Sequence, residues 1–146
     1  MQFSTRFSMA VHILTATDHF KGQLITGDFL AGTIGANPVE VRRVIALLRK
    51  AGLISVRRGE GGAALTRPLS EISFYDVYEA TEMTGSKDLF RIHEHPCENC
   101  ELGRNITAVL SKELSQVQAQ FEDSLKKISV ADTEKGIEEL IRQEGA

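Results

Sequence analysis

No part of this 146-residue sequence is apolar for long enough to cross a membrane, since a spanning helix needs about 20 consecutive apolar residues. The N-terminus also lacks the mark of an exported protein, a basic stretch followed by an apolar core. Cysteine is scarce, and Cys97 and Cys100 are too few and too close together to build a secreted disulfide framework. We therefore expect a cytoplasmic protein with no membrane partner.

The motifs of common enzyme classes are missing as well. The sequence has no recognisable Ser-His-Asp arrangement, no glycine-rich phosphate loop and no metalloprotease helix. It shows no internal repeat and no low-complexity tract. The chain is long enough for one compact domain plus an appended element. We expect a binding protein that is not an enzyme.

What the sequence does contain is charge that is sorted along the chain. Residues 37–68 hold seven basic side chains and two acidic ones, a local net charge of +5 in a chain whose total is −3. The excess acid lies after residue 68, where sixteen acidic residues face eight basic ones. Because phosphate contacts depend on the local field, a basic segment in an acidic chain still permits nucleic-acid binding.

The basic segment begins with a predicted helix. Asn37 and Pro38 indicate its start, since asparagine accepts the unpaired amides and proline fits the first turn, and Glu40 lies where a capping box places an acid. Gly52 indicates its end in the left-handed conformation. The predicted buried stripe consists of Val41, Val44, Ile45 and Leu48.

Two helices are predicted before this one and a hairpin after it. The first runs from a cap at Ser4 to about His19, and the second from a cap at Thr26 to Gly35. Strands at 53–58 and 63–67 flank a glycine-rich turn. This order predicts a mainly α fold with a small β-hairpin wing, a winged helix-turn-helix.

The exposed face of the third helix and the hairpin tip carry the candidate DNA contacts. A helix fits the major groove, so arginines on its outer face can reach guanine edges or phosphates, and Arg42 and Arg43 are the base-reading candidates. In the wing, arginines can neutralise phosphates or enter the minor groove, while glycines let the loop approach the backbone. The predicted DNA-binding residues are Asn37, Val39, Arg42, Arg43, Arg49, Arg57, Arg58 and Gly61.

The pattern predicts three segments: a winged helix-turn-helix over residues 1–83, a sensor loop over 84–102, and a dimerisation helix with a C-terminal helix over 103–146. A helix starting at Ser73 and Asp76 closes the first of them. Residues 131–133 are expected to break the long helix. Its apolar stripe, which needs a partner, consists of Ile106, Leu110, Leu114, Val117, Phe121, Leu125 and Ile128.

The sequence resembles the Rrf2 family of bacterial winged-helix transcription regulators over essentially its whole length. Residues 38–52 are similar to that family's recognition helix, Gly59–Thr66 to its wing, and Pro68–Ser73 to the segment that follows. The resemblance implies a homodimer that crosses a long helix between subunits, binds near-palindromic double-stranded operators, and in most members represses.

Several members of that family hold an iron–sulfur cluster with three spaced cysteines. This chain has only Cys97 and Cys100, so it looks closest to the branch that lacks a cluster. A minority of members use two cysteines with a histidine and a glutamate from the partner's first helix. His12 lies at the place of that histidine, whereas Ser8 replaces the glutamate, and His12 is expected to pack in the interface of the first helix.

The residues themselves leave three roles open for the loop. Cys97 and Cys100 can act as a reversible thiol switch. With His93 and His95 they can form a four-ligand site for zinc or an iron–sulfur cluster. They can also have no sensing role. If they act, chemistry in this loop is expected to shift the long helix and the spacing of the recognition helices.

Two other functions compete with DNA binding. A thiol oxidoreductase is disfavoured, because Glu98 and Glu101 in a loop are expected to raise the pKa of the cysteine thiols, whereas such enzymes place the first cysteine at a helix N-terminus. A winged helix used only as a protein-interaction module is the second. Steep weakening of binding with salt separates DNA binding from that module.

Overall fold

Six helices and one two-stranded hairpin form the part of the chain that the computed structural model describes, residues 3–57, 62–82 and 88–145. A short 3-10 turn, Leu69–Glu71, links the hairpin to the fourth helix. The elements are α1 Arg6–His19, α2 Gly27–Ile34, α3 Pro38–Lys50, β1 Ile54–Arg57, β2 Gly62–Leu65, α4 Phe74–Glu82, α5 Glu101–Lys126 and α6 Val130–Glu144.

Apolar faces of α1, α3 and α4 pack together as the core of the winged domain. Ile13 and Leu14 of α1 and Val77 of α4 are fully buried. The predicted stripe of α3 is confirmed: Val41, Val44 and Leu48 are buried, and Ile45 packs against them partly exposed. Burying one face of α3 in this way turns its opposite face to solvent.

The ends of α2 and α3 are fixed by side-chain caps. Asn37 Oδ1 accepts a hydrogen bond from the Val39 amide at 2.8 Å, and Thr26 Oγ1 accepts one from Phe29 at 3.0 Å. Both predicted caps are confirmed. The predicted role of Glu40 in a capping box is not what the structure shows, because its carboxylate accepts from Arg43. At the start of α1 the cap position belongs to Thr5, one residue after the predicted Ser4.

The hairpin is tied to the segment before α2. Strands β1 and β2 pair antiparallel, with Ile54 opposite Leu65 and Arg57 opposite Gly62; they are shorter than predicted. Gly62 has a φ of +71° and lies directly against the Ile25 carbonyl, which leaves no room for a Cβ. The Ala63 amide donates to the same carbonyl at 2.9 Å. The wing therefore keeps a fixed position beside the helix-turn-helix.

Helix α4 begins where the sequence predicts. The Ser73 hydroxyl and the Asp76 carboxylate each accept from the other's backbone amide, which makes a capping box. Arg67 donates to Asp76 over 3.2 Å, so this arginine ties the hairpin's exit to α4 and does not extend the basic face of α3.

The two C-terminal helices differ from the prediction at their ends. Helix α5 begins at Glu101, two residues before the predicted start. The predicted break at residues 131–133 is wrong, since Ser129 and Asp132 form a capping box and those residues make the first turn of α6. The chain turns earlier, between Lys126 and Val130, where the Phe74 amide donates to the Ile128 carbonyl at 2.8 Å.

Helix α5 rests on the winged domain near one end only. Phe121 stacks on Phe3 with ring centroids 5.7 Å apart and meets Tyr78 edge-on at 5.6 Å. None of the 26 residues of α5 is buried; Val117 remains 48% exposed and Ile128, just after the helix, 41% exposed. Within the described ranges, no helix has the length and apolar character needed to cross a bilayer.

Candidate nucleic-acid interface

A groove of about 910 Å³ runs between α3 and the hairpin. We call it the basic groove, because four cationic side chains line it: Arg42, Arg49, Lys50 and Arg57. Its apolar floor includes Ile45 and Val56. The sequence alone does not show that the cations of α3 and of the hairpin line the same groove. The packing of the hairpin on Ile25 brings them together in the structure.

The cations of the basic groove differ in how they are held. Arg42 Nη2 donates to Asp28 Oδ1 over 2.9 Å, which ties α3 to the first turn of α2. Among the described residues, Arg49, Lys50 and Arg57 form no ion pair with a carboxylate. Their charge is therefore available to a phosphate backbone.

The other predicted helix contacts lie on the exposed side of α3. Arg43 pairs with Glu40 of its own helix over 2.8 Å and does not line the basic groove. Val39 is exposed beside it, and Asn37 is engaged as the cap of α3. The two base-reading candidates thus stand in different surroundings, one inside the groove and one beside it.

Two predicted wing residues, Arg58 and Gly61, lie outside the described residues. Sequence reasoning missed Leu24, Gly27, Asp28 and Lys50 as neighbours of the candidate site. Lys50 could have been found from the sequence, since it lies within the basic segment. The exposure of Leu24 is visible only in the structure. The pairing of Asp28 with Arg42 could not be predicted, because it depends on the angle between α2 and α3.

Both cysteines are exposed at the start of α5. Cys100 occupies the cap position of the helix, and hydrogen bonds from the backbone N–H groups of Gly103 and Leu102 lower the pKa of its thiol. The prediction that neighbouring glutamates would raise this pKa is wrong, because the unpaired amides of a helix N-terminus act at shorter range. The Cys97 carbonyl lies against Gly103, so the loop folds back onto the helix.

The histidines of the loop do not join the cysteines in a ligand set. His93 and His95 are exposed, and His95 faces Glu94 at 3.9 Å. Across residues 3–57, 62–82 and 88–145, no three His, Cys, Asp or Glu side chains are gathered closely enough to hold a metal ion. The four-ligand site predicted from His93, His95, Cys97 and Cys100 is not assembled in this structure.

A smaller cavity of about 410 Å³ separates α1 from α6. His12 lines it and is exposed in the single chain. Glu134 lines the same cavity. Burial, the hydrogen bond to Asp18 and the charge of that residue raise the pKa of Glu134 to about 7.

Comparison with protein families gives a match that spans most of the chain. The model of the Rrf2 family, described as an iron-dependent transcriptional regulator, matches residues 3–135. The matched region contains the winged domain, the loop with both cysteines and all of α5. The recognition helix and wing anticipated from the sequence fall inside it.

Iron in the family's description raises the question whether this chain's donors fit such a centre. The two exposed thiols of Cys97 and Cys100 are soft ligands of the right type. A cluster needs more ligands than two thiols, and the described part of one chain gathers no third side-chain donor at them. The donor set that the described residues of a single chain offer does not fit an iron centre.

Individual relatives agree with the family match. The chain is 33% identical over 129 residues to YwnA of Bacillus subtilis (strain 168), named as an HTH-type transcriptional regulator, covering 88% of this chain and 94% of that protein. A solved structure described as a DNA-binding protein superposes with a TM-score of 0.71 at 30% identity, covering 88% and 97%. T. potens IscR superposes with a TM-score of 0.67 at 25% identity, covering 96% and 90%. The chain belongs to the Rrf2 family of winged-helix transcription regulators and is not an enzyme.

Proposed function

We propose that this protein is a homodimeric repressor that binds a near-palindromic DNA operator through the basic groove and the outer face of α3. The observation that carries the proposal is the convergence of Arg42, Arg49, Lys50 and Arg57 on one groove. A helix flanked by a basic wing matches the way winged domains place a helix in the major groove and a hairpin on the neighbouring backbone.

Within this proposal the cations divide into two roles. Arg49, Lys50 and Arg57 bind phosphates. They lie in the last turn of α3 and at the end of β1, to one side of the first half of α3, which enters the major groove of the DNA. Arg42, Arg43 and Val39 face the bases from the first half of α3. Arginine donates two parallel hydrogen bonds to guanine, and an apolar side chain can meet a thymine methyl.

A second copy of the chain covers the apolar side of α5. No residue of the stripe predicted from the sequence is buried. Val117 is 48% exposed, and Leu102 at 71% and Val109 at 55% exposure add further apolar surface on α5. A helix of 26 residues is about 39 Å long at 1.5 Å per residue. Apolar surface of this length is costly to leave in water, and pairing two such helices removes the cost.

The signal is a thiol–disulfide change at Cys97 and Cys100. The Cys100 thiolate attacks a small disulfide and releases one small thiolate. Cys97 then displaces the second, so the two protein cysteines are oxidised to a disulfide as the small disulfide is reduced to two thiolates. The proton of Cys97 passes to water. Because Cys97 lies against Gly103, closing this ring alters the start of α5 and so the spacing of the two recognition helices.

Selection of duplexes from random-sequence DNA, followed by affinity measurements in reducing and oxidising buffer, tests these statements together. We expect one two-fold symmetric sequence, bound by two chains, with weaker binding after oxidation. Replacing both cysteines with serine should leave binding intact and abolish its response to oxidant. A chain with no DNA affinity even at low salt would instead favour a protein-interaction module.

A further inference from the structure

Arg42 differs from the other cations of the basic groove in that two residues of α2 hold it. Its guanidinium donates to the Asp28 carboxylate over 2.9 Å. Its aliphatic stem runs across Gly27, where an added Cβ would lie 3.3 Å from Arg42 Cγ and 3.5 Å from Nε. The side chain is therefore constrained both at its head and along its stem.

Stability does not account for the pair. The Arg42 and Asp28 side chains are 59% and 75% exposed, and ion pairs this exposed add little to the free energy of unfolding. An acid on this face also weakens the attraction of the groove for phosphates, since it cancels the charge of one cation. Asp28 thus weakens binding to the DNA phosphate backbone. Among the described residues, Arg42 is the one cation of the basic groove that forms an ion pair with a carboxylate.

We propose that Asp28 and Gly27 position Arg42 to read a base, which makes Asp28 a determinant of sequence specificity. The inference rests on the proposed function of the groove. Guanidinium has five N–H donors, so the bond to Asp28 leaves others free for a guanine edge. Reading two acceptors at once requires a fixed plane, and the carboxylate supplies that orientation before DNA arrives.

The same contact discourages a competing use of Arg42. An unrestrained arginine at the edge of a groove can turn to any nearby phosphate, which adds affinity for every sequence equally. With Asp28 beside it, a phosphate that approaches Arg42 also meets a carboxylate. Arg42 therefore adds less affinity for sequences that lack the matching base, and the ratio of specific to non-specific affinity rises.

Two variants separate orientation from charge. Asp28→Asn removes the carboxylate's charge, and Gly27→Ala keeps every charge but inserts a methyl group against the Arg42 stem. Glu40→Gln is the matched control, because Glu40 is likewise an acid in a first helical turn paired with an arginine, and it does not touch Arg42. Each variant is used to select preferred duplexes from random-sequence DNA, and its base preference is compared with that of Arg42→Ala.

We expect Asp28→Asn to bind random DNA about threefold more tightly, with a salt slope steeper by about 0.9 per chain. Its preference should fall about tenfold at the base positions that Arg42→Ala also affects. Gly27→Ala should lose preference at those positions with no change of slope. Glu40→Gln should steepen the slope while keeping the preference there, and adding Asp28→Asn to Arg42→Ala should cost no further preference.

The inference fails if Asp28→Asn keeps the wild-type preference, or if Asp28→Asn and Glu40→Gln give the same profile, since the carboxylate would then act through charge alone. Unchanged melting temperatures show that the variants are folded. Failure of the proposed function looks different, because in that case the wild-type protein itself selects no sequence and the inference falls with it.

Discussion

Lys50 offers the sharpest test of the basic groove as a phosphate-binding surface. It lies in the last turn of α3, lines the groove, and forms no ion pair with any carboxylate of the described residues. We expect Lys50→Gln to remove about one phosphate contact per chain. The slope of log affinity against log salt should then become shallower by about 0.9 per chain, or about 1.8 for a dimer.

This change is large enough to measure. Between about 50 and 200 mM salt, a slope difference of about 1.8 makes the loss of affinity of the variant about 12-fold smaller than that of the wild type. Fluorescence anisotropy of a labelled duplex at five or six salt concentrations gives both slopes. Removing a cation from the last helical turn costs only about 0.3–1 kcal/mol of stability, so the variant should remain folded.

Lys112→Gln is the matched control, since Lys112 is an exposed lysine in the middle of α5 and does not line the groove. Its slope should equal that of the wild type. Equal slopes for Lys50→Gln and the wild type, or an equal loss in the control, would refute the assignment of phosphate contacts to the basic groove.

Three further predictions address the cap, the cavity and the long helix. Asn37→Ala should lower the free energy of unfolding by about 1 kcal/mol in urea, because it removes the bond to the Val39 amide. The pKa of Glu134 is raised to about 7, so the folded state retains a proton that the unfolded chain releases. The stability that this group contributes is therefore complete at a pH below the ordinary glutamate pKa and is lost as the pH rises through about 7. The free energy of unfolding should fall less over this pH range in Glu134→Gln. Leu114→Glu should turn dimers into monomers in sedimentation experiments, since it places a charge in the apolar stripe.

Each of these changes has a conservative or neighbouring control. Asn37→Asp keeps an oxygen acceptor and should retain most of the stability. Glu144→Gln changes an exposed carboxylate of the same helix outside the cavity and should leave the pH dependence of unfolding close to that of the wild type. Ser115→Glu adds an equal charge on the exposed side of α5, and a monomer in this control would mean that charge, not the stripe, governs assembly.

The winged domain was readable from the sequence because its signals are local. Caps such as Asn37 and Thr26 act within three residues of themselves, and the stripe of α3 follows directly from helical periodicity. The ends of α5 and α6 were harder to place. The capping box of Ser129 and Asp132 starts α6 at Val130, so the break lies at residues 127–129 and was predicted four residues too late.

The candidate site was only half readable, because contacts distant along the chain make it. The arginines of α3 were predicted from their positions on the exposed face. Their grouping with Arg57 depends on Gly62 resting against Ile25, and the restraint on Arg42 depends on how α2 crosses α3. The thiol of Cys100 shows the same limit, since the effect of the nearby helix amides outweighs that of charges close in sequence.

Hydrogen exchange measured with and without DNA tests the central claim most directly. With a duplex selected by the wild-type protein, we expect exchange to slow in peptides that cover residues 38–57 and 62–65, the walls of the basic groove. Slowing confined to α5 and α6, with α3 and the hairpin unchanged by DNA, would contradict the assignment of this groove to nucleic acid.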